Sequence, residues 1–193
     1  NSSNIKLLII GRLSSEKRID RFINILSEMK KKSKHLNYKI IGYIAGEGGV
    51  YDNQYEYLIK KAENLNLNNK IIYFLGKVGV KKIKDLYNKC DIVICTSEFE
   101  GTPNVILEAM SCGLPVISTA VGDISNIISH GETGFIVDPY SQDRFIDYIM
   151  ELIVNPEKRS KFGLCGRRVI EFKHSEKIVS KIIINKYNDL FHA

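Results

Sequence analysis

Residues 98–119 read EFEGTPNVILEAMSCGLPVIST, and the order of residue types within them sets the architecture expected of the whole chain. The stretch is read as a strand end, a glycine turn, a short helix, a second turn and another strand. Thr102 stands where an N-cap hydroxyl is favoured. Pro103 suits the first helical position, where its missing N–H would be unpaired in any case. That leaves the backbone N–H groups of Asn104 and Val105 at the positive end of a helix, an arrangement that favours a phosphate. Glu100 falls on the turn and Glu108 on the helix behind it.

Upstream of this unit, residues 5–10 form a nearly all-apolar run ending at Gly11, as a buried parallel strand does. Ser14 or Ser15 is expected to cap the next helix, with Glu16 and Lys17 in its first turn. Ile19, Phe22, Ile23, Leu26 and Met29 follow at helical spacing and form one apolar stripe. Further strands are expected at 38–45, 71–75, 91–95, 115–119 and 134–137. Helices are expected at 55–65, 80–89, 103–111, 124–129, 141–154, 156–172 and 175–191, the last carrying Val179, Ile182, Tyr187 and Leu190. Alternation of this kind with short loops specifies an α/β fold, a doubly wound, Rossmann-like parallel sheet with helices on both faces.

Such sheets bind ligands in the crevice beyond the carboxyl ends of their strands. The unusual residues gather there. Arg12 follows the first strand, Gly46-Glu47-Gly48-Gly49 the second, Gly76-Lys77-Val78 the third and the Glu100 turn the fourth. Arginine offers a planar fork of donors to phosphate oxygens and lysine a compact charge, so Arg12 and Lys17 facing the amides of Asn104 and Val105 suit a diphosphate.

The 193 residues suffice for one domain, with no internal repeat and no convincing linker. No apolar run approaches the roughly 20 residues that span a bilayer, and the apolar start is a strand rather than a secretory signal. Lys and Arg exceed Asp and Glu by six. This excess fits an anionic ligand, an anionic membrane surface or nucleic acid without choosing among them. Its densest run, Lys30-Lys31-Lys32 with Lys34, ends a helix, where cations favour the dipole. Basic residues are otherwise scattered and no aromatic–basic platform appears, which argues against a nucleic-acid partner. Cys90, Cys95, Cys112 and Cys165 form no CxxC pair and have no histidines at ligand spacing. Cys90 and Cys95, which flank or lie within an apolar strand, are expected to be buried free thiols in a reducing, cytoplasmic setting.

Glu100 and Glu108 admit two chemistries. A glycosidase needs carboxyl groups roughly 5–9 Å apart across one bond. A carboxylate a turn and a half into a helix that starts at a phosphate is better placed to accept from ribose hydroxyls, so the glycosidase reading is rejected. A dinucleotide oxidoreductase is disfavoured as well, because Gly46-Glu47-Gly48-Gly49 is not GxGxxG opening a helix after the first strand.

GRLSSEK at 11–17 and EFEGTPNVILEAMSCGLPVIST at 98–119 resemble the two signatures of the family 4 retaining glycosyltransferases, the glycosyl transferases group 1, which have the GT-B fold. The second holds the family's E-x7-E pattern as Glu100 and Glu108. The resemblance continues through GETGFIVDP at 131–139 and the C-terminal helices, and matches the C-terminal, donor-binding half of such an enzyme. Asp123 stands where the family often has a second glycine, which leaves that loop's geometry open.

The resemblance implies that Arg12 and Lys17 grip the diphosphate of a nucleoside diphosphate sugar, that Glu108 holds its ribose, and that the backbone at Gly76, Lys77 and Val78 pairs with the base. Glu100, with Gly101, Thr102, Pro103, Asn104 and Val105, would position the sugar and the β-phosphate, so that Glu100, Arg12 and Lys17 carry catalysis. The reaction implied is retaining transfer of a hexose or N-acetylhexosamine to a glycan or lipid-linked acceptor, without metal or other cofactor. Asn104 is compatible with the branch that uses UDP-sugars. The acceptor would bind an N-terminal domain lying outside residues 1–193, so the chain alone is expected to bind donor weakly and to be inactive in transfer. The implied setting is cytoplasmic polysaccharide biosynthesis at the inner face of the membrane, with peripheral association of the longer protein. Two alternatives stay open: another GT-B enzyme such as a sugar-nucleotide 2-epimerase, and a non-catalytic nucleotide- or partner-binding domain.

Overall fold

Six apolar runs line up as one parallel sheet in the order β3-β2-β1-β4-β5-β6. The computed structural model describes residues 3–32, 38–48 and 53–191, so Lys34 and Gly49 lie outside the described residues. The strands are β1 (Ser3–Ile10), β2 (Tyr38–Ala45), β3 (Ile72–Gly76), β4 (Ile92–Cys95), β5 (Val116–Thr119) and β6 (Gly134–Val137). β1 pairs with β2 along its full length, from Ser3 opposite Tyr38 to Ile10 opposite Ala45. On its other side it pairs with β4 at Leu7–Ile92 and Leu8–Val93. Successive connections therefore run outward in opposite directions from the β1–β4 pair. Strand order reverses there, and a crevice opens between the loops that leave the two strands.

Both faces of the sheet are covered, which is why its strands are apolar at nearly every position. Side chains alternate across β1: Ile5, Leu7 and Ile9 enter one core and Leu8 the other. The first core takes Phe22, Ile23, Leu26 and Met29 from α1 (Ile19–Lys32), Leu58 and Ala62 from α2 (Gln54–Asn64), and Phe145 and Ile149 from α6 (Gln142–Val154). The second takes Tyr87 from α3 (Val80–Asn88), Ile106, Ala109 and Met110 from α4 (Asn104–Ser111), and Ile124 and Ile127 from α5 (Ile124–Ile127). Each fully buried aliphatic or aromatic side chain contributes on the order of 1.5–3 kcal/mol.

The C-terminal helices differ from expectation. α7 (Pro156–Val169) does not continue to 172 but passes into a π-helical turn over Ile170–His174. α8 (Glu176–Phe191) follows and buries none of its residues; Tyr187 is 60% and Leu190 77% exposed. Its apolar positions are thus not a core stripe of this sheet. Among the described residues no helix is long and apolar enough to cross a membrane.

α7 is fixed to the sheet by the approach of two glycines. A Cβ on Gly163 would lie 1.9 Å from the carbonyl oxygen of Gly113, in the turn between α4 and β5. Helix propensity alone favours alanine over glycine in a helix by about 1 kcal/mol, so the sign of a Gly163→Ala substitution tests the packing. The contact predicts a net loss of about 1–3 kcal/mol, read as a lower urea midpoint at unchanged m-value. A stabilised variant would mean that α7 does not sit this close.

Candidate functional site

The loop after β1 and the loop after β4 are stapled to each other. Ser15–Lys17 forms a single 3-10 turn, and Arg18 follows it at φ 48, in the left-handed region. A non-glycine residue is held there only by its surroundings. Arg18 Nε and Nη2 donate to the two carboxylate oxygens of Asp20 at 2.9 and 3.1 Å, and its Nη1 donates to Glu98. Arg21 Nη2 reaches the same Glu98 oxygen at 2.6 Å. Thr96, fully buried, directs its hydroxyl between the carbonyls of Arg18 (2.8 Å) and Lys17 (3.0 Å). The N–H of Glu98 donates to the Glu16 carbonyl at 2.8 Å.

This clamp changes where Lys17 lies. The helix starts at Ile19, so Lys17 closes the 3-10 turn rather than opening α1, and Ser14 flanks that turn without a side-chain cap bond. Lys17 Nζ donates to Glu100 Oε1 at 2.6 Å, and Ser97 Oγ donates to the same oxygen at 2.7 Å. The two signature loops therefore meet through a charge pair, with side chains only 21% and 12% exposed. Arg12 stands apart, largely exposed and 3.7 Å from Glu16.

Thr102 is not the N-cap of α4. Pro103 occupies the cap position at φ −78, ψ 92, and its carbonyl accepts from the N–H groups of Ile106 (2.9 Å) and Leu107 (3.4 Å). Thr102 Oγ1 instead donates to Asp123 at 3.4 Å, a partner 21 residues away that sequence spacing does not reveal. Among the described residues no acceptor meets the N–H of Asn104 or Val105, so the expected open helix end is present one residue later than a Thr102 cap would set it. Gly122, at φ +54, brings the β5–α5 loop under this turn; a Cβ there would lie 2.4 Å from the carbonyls of Glu100 and Gly101. Asp123 itself has φ −81 and donates its N–H to the Gly101 carbonyl at 3.2 Å, so this loop needs no second glycine.

Two hollows adjoin at Ile83. One, of about 180 Å³, is lined by Gly11, Arg12, Gly46, Glu47, Lys77 and Val78. Lys77 Nζ spans its rim to Glu47 at 2.8 Å, and this contact raises the lysine's pKa above its ordinary value. Gly76, at φ +63, turns the chain out of β3, and its carbonyl accepts from the N–H of Gly46 at 2.8 Å. The other hollow, of about 380 Å³, lies between α3 and α4 and includes Glu108, Tyr87 and Lys84. Tyr87, 1% exposed, donates its hydroxyl to Glu108 Oε2 at 2.8 Å. Burial first and the Glu108 carboxylate second push the Tyr87 pKa well up, so it remains a donor across the physiological range. Sequence reasoning missed Tyr87, because a lone tyrosine at a core position of a helix reads as packing. It also missed Arg18, Arg21, Thr96, Ser97 and Glu98, whose clustering becomes visible only when β1 and β4 are adjacent. Cys90 and Cys95 are buried free thiols as expected, and burial pushes the Cys90 thiol up to about 12.

The sequence profile of the glycosyl transferases group 1 matches residues 1–169. N-acetyl-alpha-D-glucosaminyl L-malate synthase of Bacillus anthracis is 29% identical over 181 residues, which are 93% of this chain and 45% of the relative. The chain spans about half the length of the curated relatives it matches. Anabaena HepE, solved in complex with UDP, superposes with a TM-score of 0.87 at 22% identity, over 97% of this chain and 49% of HepE, a likeness of fold. The C-terminal domain of a glycosyl transferase group 1 family protein, LpcC, from Francisella tularensis is 28% identical with a TM-score of 0.78, over 89% of this chain and 87% of that one. The doubly wound sheet expected from sequence is thus the one found in GT-B glycosyltransferases.

The clamp has a pH signature. Burial acts to raise the Asp20 pKa, but the hydrogen bonds and charge of Arg18 outweigh it and hold the carboxyl below its ordinary 3.8. Stability from this pair is therefore complete above that ordinary value and is lost as pH falls through the lower folded value. Urea unfolding of the native chain and of Asp20→Asn should differ by about 1–2 kcal/mol near neutrality, with the gap closing in acid. A gap that persists unchanged in acid would remove the pair from this role.

Proposed function

Because the chain belongs to the glycosyl transferases group 1 family, we propose that it is a donor-binding domain for a nucleoside diphosphate sugar, UDP-linked, and serves retaining transfer to a glycan or lipid-linked acceptor. The observation that carries this reading is the Lys17–Glu100 pair, which draws the two signature loops to one mouth beside the open end of α4. The donor's base lies along the Gly76–Lys77–Val78 backbone in the smaller hollow, its ribose hydroxyls donate to Glu108, and its β-phosphate meets the N–H groups of Asn104 and Val105. UDP in the HepE structure supports the choice of base only as a likeness of fold. The Bacillus anthracis relative is named as an N-acetyl-alpha-D-glucosaminyl L-malate synthase, which favours transfer over epimerisation.

The chemistry follows from charge. As the bond between the sugar's C1 and the diphosphate oxygen breaks, positive charge grows on the sugar and negative charge on the departing diphosphate. Arg12, Lys17 and the α4 amides stabilise that negative charge where it develops. Arg12 is free to swing inward, since its only charge partner among the described residues is a largely exposed contact at 3.7 Å. Glu100 faces the transferred sugar with the carboxylate edge that Lys17 and Ser97 do not occupy. The two cations and the helix end take the place of a metal ion in neutralising the diphosphate. The acceptor is held by a part of the longer protein outside residues 1–193.

Calorimetry of the chain with UDP-, GDP- and ADP-sugars tests the reading. UDP-sugars should bind, and Arg12→Ala and Glu108→Ala should each weaken binding about tenfold or more, the equivalent of about 1.4 kcal/mol. Absence of binding by every donor, or affinities unchanged in both variants, would overturn it.

A further inference from the structure

Beneath the Lys17–Glu100 pair runs a chain of polar groups that the proposed chemistry does not use. Ser97 lies two residues past the end of β4 and is 2% exposed. Its carbonyl accepts from the hydroxyl of Thr119, fully buried at the end of β5, at 2.6 Å. Its own hydroxyl lies 3.5 Å from the buried Cys95 thiol, which donates to it, and donates in turn to Glu100 Oε1 at 2.7 Å. The Cys95 thiol also lies 4.0 Å from Glu100 Oε1, so the Ser97 hydroxyl at 2.7 Å makes the much shorter contact to that oxygen, and the Thr119 bond holds the Ser97 backbone. Glu100 Oε1 then accepts from Lys17 Nζ at 2.6 Å. Glu100 sits on a loop and Lys17 on a one-turn 3-10 segment, neither rigid by itself. Ser97, two residues past β4, is the member of the chain that is buried and tied through its carbonyl to the end of β5.

We propose that Ser97 is a positioning residue for diphosphate binding: its hydroxyl fixes the Glu100 carboxylate, which in turn holds the Lys17 ammonium where the diphosphate arrives. The inference rests on the donor-binding reading given above. Ser97 touches no part of the donor and acts through two side chains. Without it, the Glu100 carboxylate keeps its charge but loses its fixed orientation, and Lys17 must be ordered at the moment of binding. Ordering a long, rotamer-rich side chain on binding costs affinity. The cost falls on ligands that carry the diphosphate and spares those that do not.

The test is calorimetric titration of the chain with UDP and with uridine. Ser97→Ala should weaken UDP about five- to tenfold and leave uridine within about twofold, a selectivity that general loosening of the site would not give. In a Lys17→Ala background, Ser97→Ala should have no further effect on UDP, since the cycle removes the group through which it acts. Ser97→Thr, which keeps the hydroxyl, should restore UDP affinity. Should Ser97→Ala fail to fold, as judged by circular dichroism, Thr119→Val carries the same comparison, with a UDP-selective loss expected. Equal losses for UDP and uridine, or full additivity with Lys17→Ala, would overturn the assignment. If UDP binds and Lys17→Ala weakens it while Ser97→Ala does not, the inference alone fails. If the unaltered chain binds no UDP, the donor-binding reading fails and takes the inference with it.

Discussion

Glu98 accepts from two arginines, Arg18 and Arg21, that belong to the segment entering α1, and everything at the mouth of the sheet depends on that contact. It joins the loop after β1 to the loop after β4, the two central strands at which strand order reverses. A crevice at such a point exists in any doubly wound sheet. What distinguishes this one is that its two walls are tied together by side chains that are partly buried and so incompletely screened. The clamp also explains an otherwise unfavourable conformation, Arg18 in the left-handed region. The guanidinium makes a bidentate contact to Asp20 and a further bond to Glu98, which together offset a backbone cost of order 1–3 kcal/mol.

Above the clamp the charges are arranged unequally. Arg18, Arg21 and Lys17 each have a carboxylate partner, whereas the N–H groups at the start of α4 have no acceptor among the described residues. A structural ion-pair network by itself would satisfy both. The open helix end beside a paired lysine is what a ligand with spread negative charge requires, because it supplies donors on one side and a positioned cation on the other. Glu108 is set apart from this charge by a turn of helix, and Tyr87 fixes one of its oxygens from below. The other oxygen can accept from hydroxyl groups. The two glutamates differ in their neighbours, a cation and a serine for Glu100 and a phenol for Glu108, and the separate roles proposed for them rest on that difference.

Much of this was legible in the sequence, for reasons that are local. Strands buried on both faces read as continuous apolar runs, so β1, β2 and β4 to β6 fall within a residue or two of where periodicity sets them. The loops bearing Arg12, Gly76 and Glu100 follow from that placement. What was not legible depends on groups distant in the chain. The start of α1 shifted past Lys17 because Thr96, Glu98 and Asp20 hold Arg18 out of the helix. Thr102 lost its capping role to Pro103, whose backbone geometry serves as the cap, and the Thr102 hydroxyl turned to Asp123. The Ser97 hydroxyl and the Tyr87 phenol gave no signal, since a serine in a loop after a strand and a tyrosine in a core stripe are ordinary. The apolar residues of α8 show the reverse: a pattern that reads as buried and stays exposed here.

In the proposed arrangement one mouth holds the diphosphate at the start of α4 and the ribose at Glu108. A crystal structure of the chain with UDP tests it most directly. β-Phosphate oxygens are expected within hydrogen-bonding distance of the Asn104 or Val105 N–H and of Lys17 Nζ, with ribose hydroxyls donating to Glu108. UDP bound elsewhere, or bound with its diphosphate out of reach of the α4 amides, would contradict it.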